Sequence, residues 1–144
     1  MKQLGKLIIT VLFISLAFTA CSSDDSNPAE PKAPESVGTY SGHNSMDTTM
    51  TITVGNVGGK AFVTSYSINY KIVSGSSTTE GTYANTDSDG LAEVVNNSFS
   101  ISLGSNNDEV LTGTISGNTM TGSFKIPSVF LVPEVSGTYT LTKN

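Results

Sequence analysis

The feature that most constrains this fold is the strict alternation of apolar and polar residues in short segments after residue 37. Apolar residues occupy every second position of two segments, alternating with threonine in the first and with serine in the second: Met50, Ile52 and Val54, and Phe99, Ile101 and Leu103. A period of two places successive side chains on opposite faces of an extended strand. No window shows the period of an amphipathic helix. The pattern therefore predicts antiparallel strands with one apolar and one polar face.

A third segment is longer and predicts either one bent strand or two strands. If it is extended throughout, five large side chains share one face: Phe62, Tyr66, Ile68, Tyr70 and Ile72. Turn-forming sequences recur at short intervals between the apolar segments: Asn56-Val57-Gly58-Gly59, Ser74-Gly75-Ser76, Asp87-Ser88-Asp89-Gly90 and Gly104-Ser105-Asn106-Asn107. We therefore predict an all-β domain of about eight to ten short strands, arranged as an antiparallel meander. Both a β-sandwich and a closed up-and-down barrel fit this pattern.

The segment Leu111–Ile126 predicts the clearest hairpin. With Gly117-Asn118 as a two-residue turn, Leu111 faces Phe124 and Ile115 faces Met120 across the two strands. The same register places Gly113 opposite Gly122 on the apolar face. Two glycines therefore face each other in the interior.

The triplet Gly-Thr-Tyr occurs three times, at positions 38–40, 81–83 and 137–139. In each copy the glycine and the tyrosine share one face of a strand. A structural interpretation is that the glycine lets the strand bend, or lets an aromatic ring lie on bare backbone. A functional interpretation is that inward glycines leave space and inward tyrosines offer hydroxyls to a small ligand. The candidate ligand-binding residues are Tyr40, Tyr66, Tyr83, Gly113, Gly122 and Tyr139.

The charge of the predicted domain argues against nucleic acid as a partner. Residues 37–144 contain four lysines, eight acidic residues and no arginine, which gives a net charge of −4. Phosphate binding by basic side chains would be unfavourable on such a surface.

The N-terminus has the features of a signal peptide and divides the chain into three parts. Lys2 and Lys6 precede the apolar run Leu7–Ala20, which has 14 residues, whereas a spanning helix needs roughly 20. We predict a signal peptide at 1–20, a lipidated cysteine with a Pro-rich acidic linker at 21–36, and an all-β domain at 37–144. The linker prolines favour an extended tether.

The end of the apolar run, Phe18-Thr19-Ala20-Cys21, resembles the lipobox of bacterial lipoproteins, with Phe18 where the family usually has leucine. The resemblance implies that Cys21, the single cysteine of the chain, is acylated and anchors the protein to the outer membrane. The following Ser22, Ser23, Asp24 and Asp25 resemble the surface-export signal of Bacteroidota lipoproteins, which implies display on the cell surface. A solvated acidic linker on a periplasm-facing protein is the alternative.

The domain also resembles a small lipocalin-type barrel. Gly38-Thr39-Tyr40 stands where lipocalins have Gly-x-Trp in the first strand, and a meander and a closing C-terminal strand follow. The resemblance implies a small apolar or amphipathic ligand in the interior.

Three further segments suggest chemistry. Asn85, Asp87, Asp89 and Glu93 follow the oxygen-ligand spacing of an EF-hand loop, although position 12 is Asn96, so a calcium site competes with a plain turn. His43, in a predicted polar loop near Asp47, would have to support any hydrolase activity. Ser128–Val132 is the most apolar stretch of the domain. If buried, it is a core strand or a plug over one barrel end; if exposed, it is a contact surface for a partner or a membrane.

From these features we expect a non-enzymatic binding or interaction module with no required cofactor. The first hypothesis is a lipid-anchored binder of a small apolar or amphipathic ligand, with a lipocalin-like interior. The second is an accessory subunit of an envelope protein or glycan-capture complex, with a packed core. The third is a hydrolase that uses His43.

Overall fold

The computed structural model describes residues 33–103, 108–128 and 133–144. These residues form nine antiparallel strands: β1 (Gly38–Asn44), β2 (Thr49–Val57), β3 (Lys60–Ser74), β4 (Ser77–Thr86), β5 (Ala92–Glu93), β6 (Ser98–Leu103), β7 (Asp108–Ser116), β8 (Thr119–Ile126) and β9 (Val135–Lys143). The all-β class and the strand number are thus confirmed. The described part of the chain contains no helix long and apolar enough to cross a membrane.

All nine strands belong to one sheet with the order β4-β3-β2-β1-β9-β8-β7-β6, while β5 pairs with β3. Strands β1 to β4 form one meander and β6 to β9 form another. The two meanders join where β1 pairs with β9, with Tyr40 opposite Lys143 and Asn44 opposite Tyr139. The first and last strands of the domain therefore lie side by side at the centre of the sheet order.

The short strand β5 links the two halves of the sheet. It pairs with β3 at Phe62 and Val63, just beyond the end of β4. It then leads into β6 through a two-residue turn, Asn96-Asn97, in which both residues have positive φ angles of 50° and 62°. Positive φ at both central residues is typical of the hairpin turns that match strand twist. The sheet therefore curls so that β6 approaches the β3 side.

One apolar core lies on the inner face of the curled sheet. Met50, Ile52 and Val54 are at most 1% exposed, while the threonines between them lie on the outer face. Seven of the nine strands contribute to the same buried cluster: Tyr40, Met50, Ile52, Val54, Ala61, Val63, Tyr66, Ile68, Phe99, Ile101, Leu111, Ile115, Met120, Phe124, Ile126, Tyr139 and Leu141, with Val135 at the start of β9. The predicted division into apolar and polar faces is confirmed for the segments in β2 and β6, with Leu103 excepted because its side chain lies outside the described part.

The predicted face of the long third segment is wrong at one position. The segment is a single 15-residue strand, β3, but its register against β2 shifts at Thr64. This β-bulge inserts one residue, so the alternation changes phase. Val63 and Tyr66 both point into the core, whereas Phe62 lies on the other face, next to Gly90.

The β7–β8 hairpin has the predicted register throughout. Gly113 pairs with Gly122 and Leu111 pairs with Phe124. Gly117 opens the turn with a φ of 56°, a conformation that glycine adopts without steric cost. Turn chemistry and the period-two pattern were together sufficient to specify this hairpin.

Contacts of the domain begin a few residues before β1. Ser36 is buried, and its carbonyl accepts a hydrogen bond of 2.9 Å from the Tyr40 hydroxyl. The Val37 N–H donates to the Pro34 carbonyl, and Lys143 Nζ donates to the Glu35 carbonyl. The last residues assigned to the linker are therefore held against the domain.

Candidate functional site

The six candidate ligand-binding residues lie on the inner side of the sheet, but the protein's own aromatic rings occupy the space around the two interior glycines. Phe99 pairs with Gly113, and Tyr139 pairs with Gly122. A Cβ atom added to Gly113 would overlap the Phe99 ring, and one added to Gly122 would overlap the Thr112 carbonyl oxygen. The two glycines thus make room for side chains of neighbouring strands.

Tyr139 crosses β8 to reach β7. Its ring lies over Gly122, and its hydroxyl donates a hydrogen bond of 2.7 Å to the Thr112 carbonyl. The side chain is 4% exposed. Only glycine at position 122 leaves the ring close enough to the backbone for this bond, so Tyr139, Gly122 and Thr112 act as one packing unit across three strands.

The same arrangement occurs at two further places in the sheet. Tyr70 on β3 pairs with Gly81 on β4, and its ring covers that glycine. Phe124 on β8 pairs in the same way with Gly137 on β9. Two glycines of the Gly-Thr-Tyr triplets, Gly81 and Gly137, therefore each support an aromatic ring, as the structural interpretation predicts.

The other candidate tyrosines also have partners inside the protein. Tyr40 is fully buried and donates its hydroxyl proton to Ser36, as described above. Tyr66 is buried, and its ring packs against that of Tyr83 at a centroid distance of 6.0 Å and a tilt of 31°. Tyr83 is half-buried on β4. The tyrosines thus contribute aromatic packing to the core.

Burial raises the pKa of the Tyr40, Tyr66 and Tyr139 hydroxyls above the ordinary value of 10.0, and the neighbouring Tyr83 adds to the effect at Tyr66. The cause is loss of solvation, which disfavours the charged phenolate. These three groups are therefore neutral in the folded protein at and above neutral pH.

The raised pKa values predict a loss of stability in alkali. Above pH 10 the unfolded chain releases tyrosine protons that the folded chain retains, so the free energy of unfolding falls as pH rises. Below pH 10 these groups add no pH dependence. Denaturant titrations between pH 8 and pH 12, with phenolate absorbance recorded in parallel, measure the effect. The Tyr139→Phe variant, which lacks one of the three groups, should show a smaller fall; ionisation of all tyrosines near pH 10 in a still folded protein would contradict the prediction.

The predicted calcium ligands divide between two structures. Asp87 and Asp89 form a tight turn after β4, in which the Asp89 N–H donates a hydrogen bond of 2.9 Å to the Asp87 carboxylate. Asn85 accepts a hydrogen bond from the next residue's N–H, and Glu93 forms an ion pair of 3.0 Å with Lys60. Across the described ranges, no three His, Cys, Asp or Glu side chains converge as metal ligands. The calcium hypothesis therefore rests on the sequence spacing alone.

His43 lies in a strand, which corrects the predicted polar loop. Residues 41–44 belong to β1, and His43 pairs with Thr49 on β2 and Thr140 on β9. The side chain is exposed on the outer face. This stretch has a loop-like composition because its outward residues are polar and Gly42 lies close to the Thr140 carbonyl. Asp47 lies in the following turn with a φ of 57°.

Asn44 organises that turn and was not recognised from the sequence. Its side-chain oxygen accepts hydrogen bonds from the Met46 N–H (2.9 Å) and the Thr48 hydroxyl (3.0 Å), and its side-chain nitrogen donates to the Asn69 carbonyl (2.8 Å). Asparagine is depleted in strands. An Asn at the end of the Gly38–Asn44 segment was therefore the available signal for a turn cap.

Two grooves lie along the sheet where polar side chains are exposed. The first, of about 500 Å³, is lined by residues of β5 to β8: Glu93, Val95, Ser98, Phe99, Ser100, Thr112, Gly113, Thr114, Thr121 and Gly122. The second, of about 510 Å³, lies along β2 to β4 and the β1–β2 turn: Asp47, Thr48, Thr49, Asn69, Tyr70, Glu80, Gly81 and Thr82. We call them the β5–β8 groove and the β2–β4 groove. Both combine hydroxyl-bearing side chains with carboxylates, one in the β5–β8 groove and two in the β2–β4 groove.

Side chains at the grooves are aligned by cross-strand hydrogen bonds. In the β2–β4 groove, the Asn69 side chain donates a hydrogen bond of 2.6 Å to the Thr49 hydroxyl. It also accepts a hydrogen bond of 2.6 Å from the Thr82 hydroxyl. In the β5–β8 groove, the hydroxyls of Ser98 and Thr114 lie 3.2 Å apart. These cross-strand hydrogen bonds hold polar side chains at fixed positions on the sheet, which is the arrangement that a polar binding surface requires.

Several predicted sites lie outside the described residues. These are the lipidation site Cys21, the export signal Ser22–Asp25, and Val129–Val132 of the apolar stretch. Ser128, the first residue of that stretch, is described and exposed.

Comparison with known proteins gives no match: no protein-family model, no curated protein and no solved structure is significantly similar to this chain. The strand order and the buried cluster define the class as an antiparallel all-β domain with a packed aromatic core.

Proposed function

We propose that this chain is a lipid-anchored lipoprotein of the bacterial outer membrane that acts, without catalysis, as an accessory interaction subunit of an envelope complex. It contacts its partners through its outer polar face and displays that face on the cell surface. This is the second hypothesis drawn from the sequence, and it shares the membrane anchor at Cys21 with the first.

One observation carries the choice between these two hypotheses. The space around Gly113 and Gly122 is filled by the rings of Phe99 and Tyr139, and the hydroxyl of Tyr139 bonds to the Thr112 carbonyl. A small-ligand site at these glycines would need that volume and that hydroxyl to be free. The packing therefore favours recognition on the outside of the sheet.

The outer face supplies the chemistry for such recognition. The two grooves present threonine, serine and asparagine side chains of this face at fixed positions, with Glu93 in one and Asp47 and Glu80 in the other. The β5–β8 groove also reaches Phe99 and the two interior glycines. Hydroxyl, amide and carboxylate groups bind the hydroxyls of glycans and the amides of proteins. Either class of partner is consistent with an accessory subunit.

The location is tested by protease treatment of intact cells. We expect the domain to be lost from unlysed cells, with cleavage in the Pro-rich linker before Pro34. Replacing Ser22–Asp25 by alanines should leave the protein membrane-bound but protected until the outer membrane is opened. Cys21→Ser should release the protein from the membrane fraction. Full protection of the unaltered protein would contradict surface display while leaving the anchor intact.

The mode of binding is tested with photocrosslinking residues placed in intact cells. Sites at Thr114 and Thr121, in the β5–β8 groove, should yield a discrete adduct with an envelope component. A matched site at Ser136, which is exposed on β9 outside both grooves, should not. Native mass spectrometry tests the competing hypothesis. A small molecule that co-purifies with the domain, and that is absent from the Tyr139→Phe variant, would favour the small-ligand hypothesis.

A further inference from the structure

Strand β4 is an edge of the sheet. It has ten residues, it is mostly exposed, and β3 is its one neighbour in the sheet order of the described chain. Strand β5 pairs with β3 beyond the end of β4 and does not continue it. One side of β4 therefore presents backbone donors and acceptors that the β3 ladder does not use.

The alternation of hydrogen-bonded and non-hydrogen-bonded pairs along β3 and β4 identifies which backbone groups of β4 are open. The Asp87 N–H donates to the Thr64 carbonyl, so the odd-numbered residues of the neighbouring β4 bond to β3. The even-numbered residues then direct their N–H and C=O groups away from β3. Four of them form the open edge: Thr78, Glu80, Thr82 and Ala84. The next even residue, Thr86, donates its N–H to the Asn85 side chain.

This edge lacks the usual protection against strand pairing. Natural edge strands are blocked by lysine, proline, bulges or short length. β4 contains no lysine and no proline, and its register with β3 is unbroken over ten pairs. Its single charge is Glu80, which lies opposite Lys71 on β3. The edge is thus long, regular and close to neutral.

We propose that β4 pairs with β4 of a second copy of this chain, antiparallel and centred on Thr82, so that two sheets become continuous. In this register Thr82 faces Thr82, and Glu80 of each copy faces Ala84 of the other. The two glutamates are therefore not directly opposite each other, and each open N–H meets an open carbonyl.

The side chains support the same register. Centring on Thr82 places Tyr83 of one copy opposite Gly81 of the other. Tyr83 is half-buried in the single chain. Directly paired aromatic residues and glycines already occur at five places within the described sheet, including Tyr70 with Gly81. In the dimer, Tyr83 would lie beside the Tyr70 ring that covers Gly81, and both would lose exposed surface.

The edge is tested by proline substitution in the full chain, extracted from cells in detergent. Thr82→Pro removes an outward N–H and no hydrogen bond of the β3 ladder, so the fold should persist. Thr82→Ala is the matched control, because both variants lose the hydroxyl bond to Asn69. Sedimentation should show dimers for the unaltered chain and for Thr82→Ala, and at least tenfold weaker association for Thr82→Pro. An unaltered chain that is monomeric throughout, or a Thr82→Pro chain that dimerises equally well, would overturn the proposal.

The register is tested by cysteine crosslinking in the same full chain. At the centre of an antiparallel hydrogen-bonded pair the Cα atoms lie about 5.5 Å apart, within the range of about 4.4–6.8 Å that a disulfide spans. Thr82→Cys should therefore form a disulfide dimer on mild oxidation. Thr114→Cys, exposed on the interior strand β7, should not exceed the level of the unaltered chain, which carries Cys21 alone. If Thr82→Cys instead formed a disulfide with a different protein, the partner of β4 would be that protein, and the proposal of a second copy would be wrong. This inference does not depend on the proposed function, because it requires no other molecule.

Discussion

Replacing Gly122 by alanine is expected to lower the free energy of unfolding by about 2–4 kcal/mol, since overpacking against rigid backbone costs about 1–3 kcal/mol and at times more. The added methyl group would overlap the Thr112 carbonyl oxygen and would lie 2.6 Å from the Tyr139 hydroxyl oxygen. The carbonyl belongs to the paired strand β7, so it cannot move aside without disturbing the sheet. Urea unfolding followed by far-UV circular dichroism measures the change.

The matched control for this variant is Thr121→Ala, one residue earlier in β8. Thr121 is exposed on the outer face, so its truncation should change stability by less than about 0.5 kcal/mol. A Gly122→Ala protein as stable as the Thr121→Ala protein would show that β7 and β8 can separate without cost. That result would refute the close packing of Tyr139 on the backbone and would return the small-ligand hypothesis to consideration.

Truncating Tyr139 to alanine should produce a second large effect, a loss of about 3–5 kcal/mol, as is typical for a large aromatic side chain in a packed core. The ring fills the space over Gly122, and no side chain at positions 113 or 122 can compensate. Tyr139→Phe keeps the ring and removes one hydrogen bond to the Thr112 carbonyl, so it should cost about 1–2 kcal/mol. The same urea titrations measure both.

The graded comparison separates packing from hydrogen bonding. Tyr83→Ala provides a reference. Because Tyr83 is half-buried on the edge strand, this variant should lose clearly less free energy of unfolding than Tyr139→Ala. A double-mutant cycle between Gly122→Ala and Tyr139→Ala should show strong coupling, because the two residues touch. Additive effects in that cycle would contradict the contact.

These predictions bear directly on function. A tyrosine reserved for a ligand usually contributes little to the stability of the unliganded protein, because its hydroxyl and one face of its ring stay free. Large stability effects at Tyr139 and Gly122 would assign both residues to the core. Recognition would then fall to exposed surfaces, among them the outer grooves and the β4 edge.

Local features of the sequence predicted several parts of the fold correctly. The alternation in β2 separated inward Met50 and Ile52 from outward threonines, because a period of two assigns faces without knowledge of the neighbouring strands. The β7–β8 hairpin could be given its register, Gly113 opposite Gly122, because a two-residue turn fixes the pairing of the strands it joins. The sequence also led us to expect that aromatic rings would lie on the bare backbone of glycines, although it did not identify which ring covers which glycine.

Other parts could not be predicted, for physical reasons that the individual residues make clear. A bulge at Thr64 shifts the register of β3 against β2, so Phe62 lies on the face opposite to the predicted one. His43 lies in a strand because β1 is held between β2 and β9. Neither constraint is present in the local sequence.

The sequence by itself determined the all-β class, the apolar and polar faces of β2 and β6, and the β7–β8 hairpin, because these depend on residues that are neighbours along the chain. Only the tertiary structure decided that β1 pairs with β9, that the Tyr139 ring lies across Gly122, and that β4 is left as an edge. These features depend on pairing between segments far apart in sequence. Such pairing is selected by the packing of the whole sheet, and the period-two pattern is equally compatible with many strand orders.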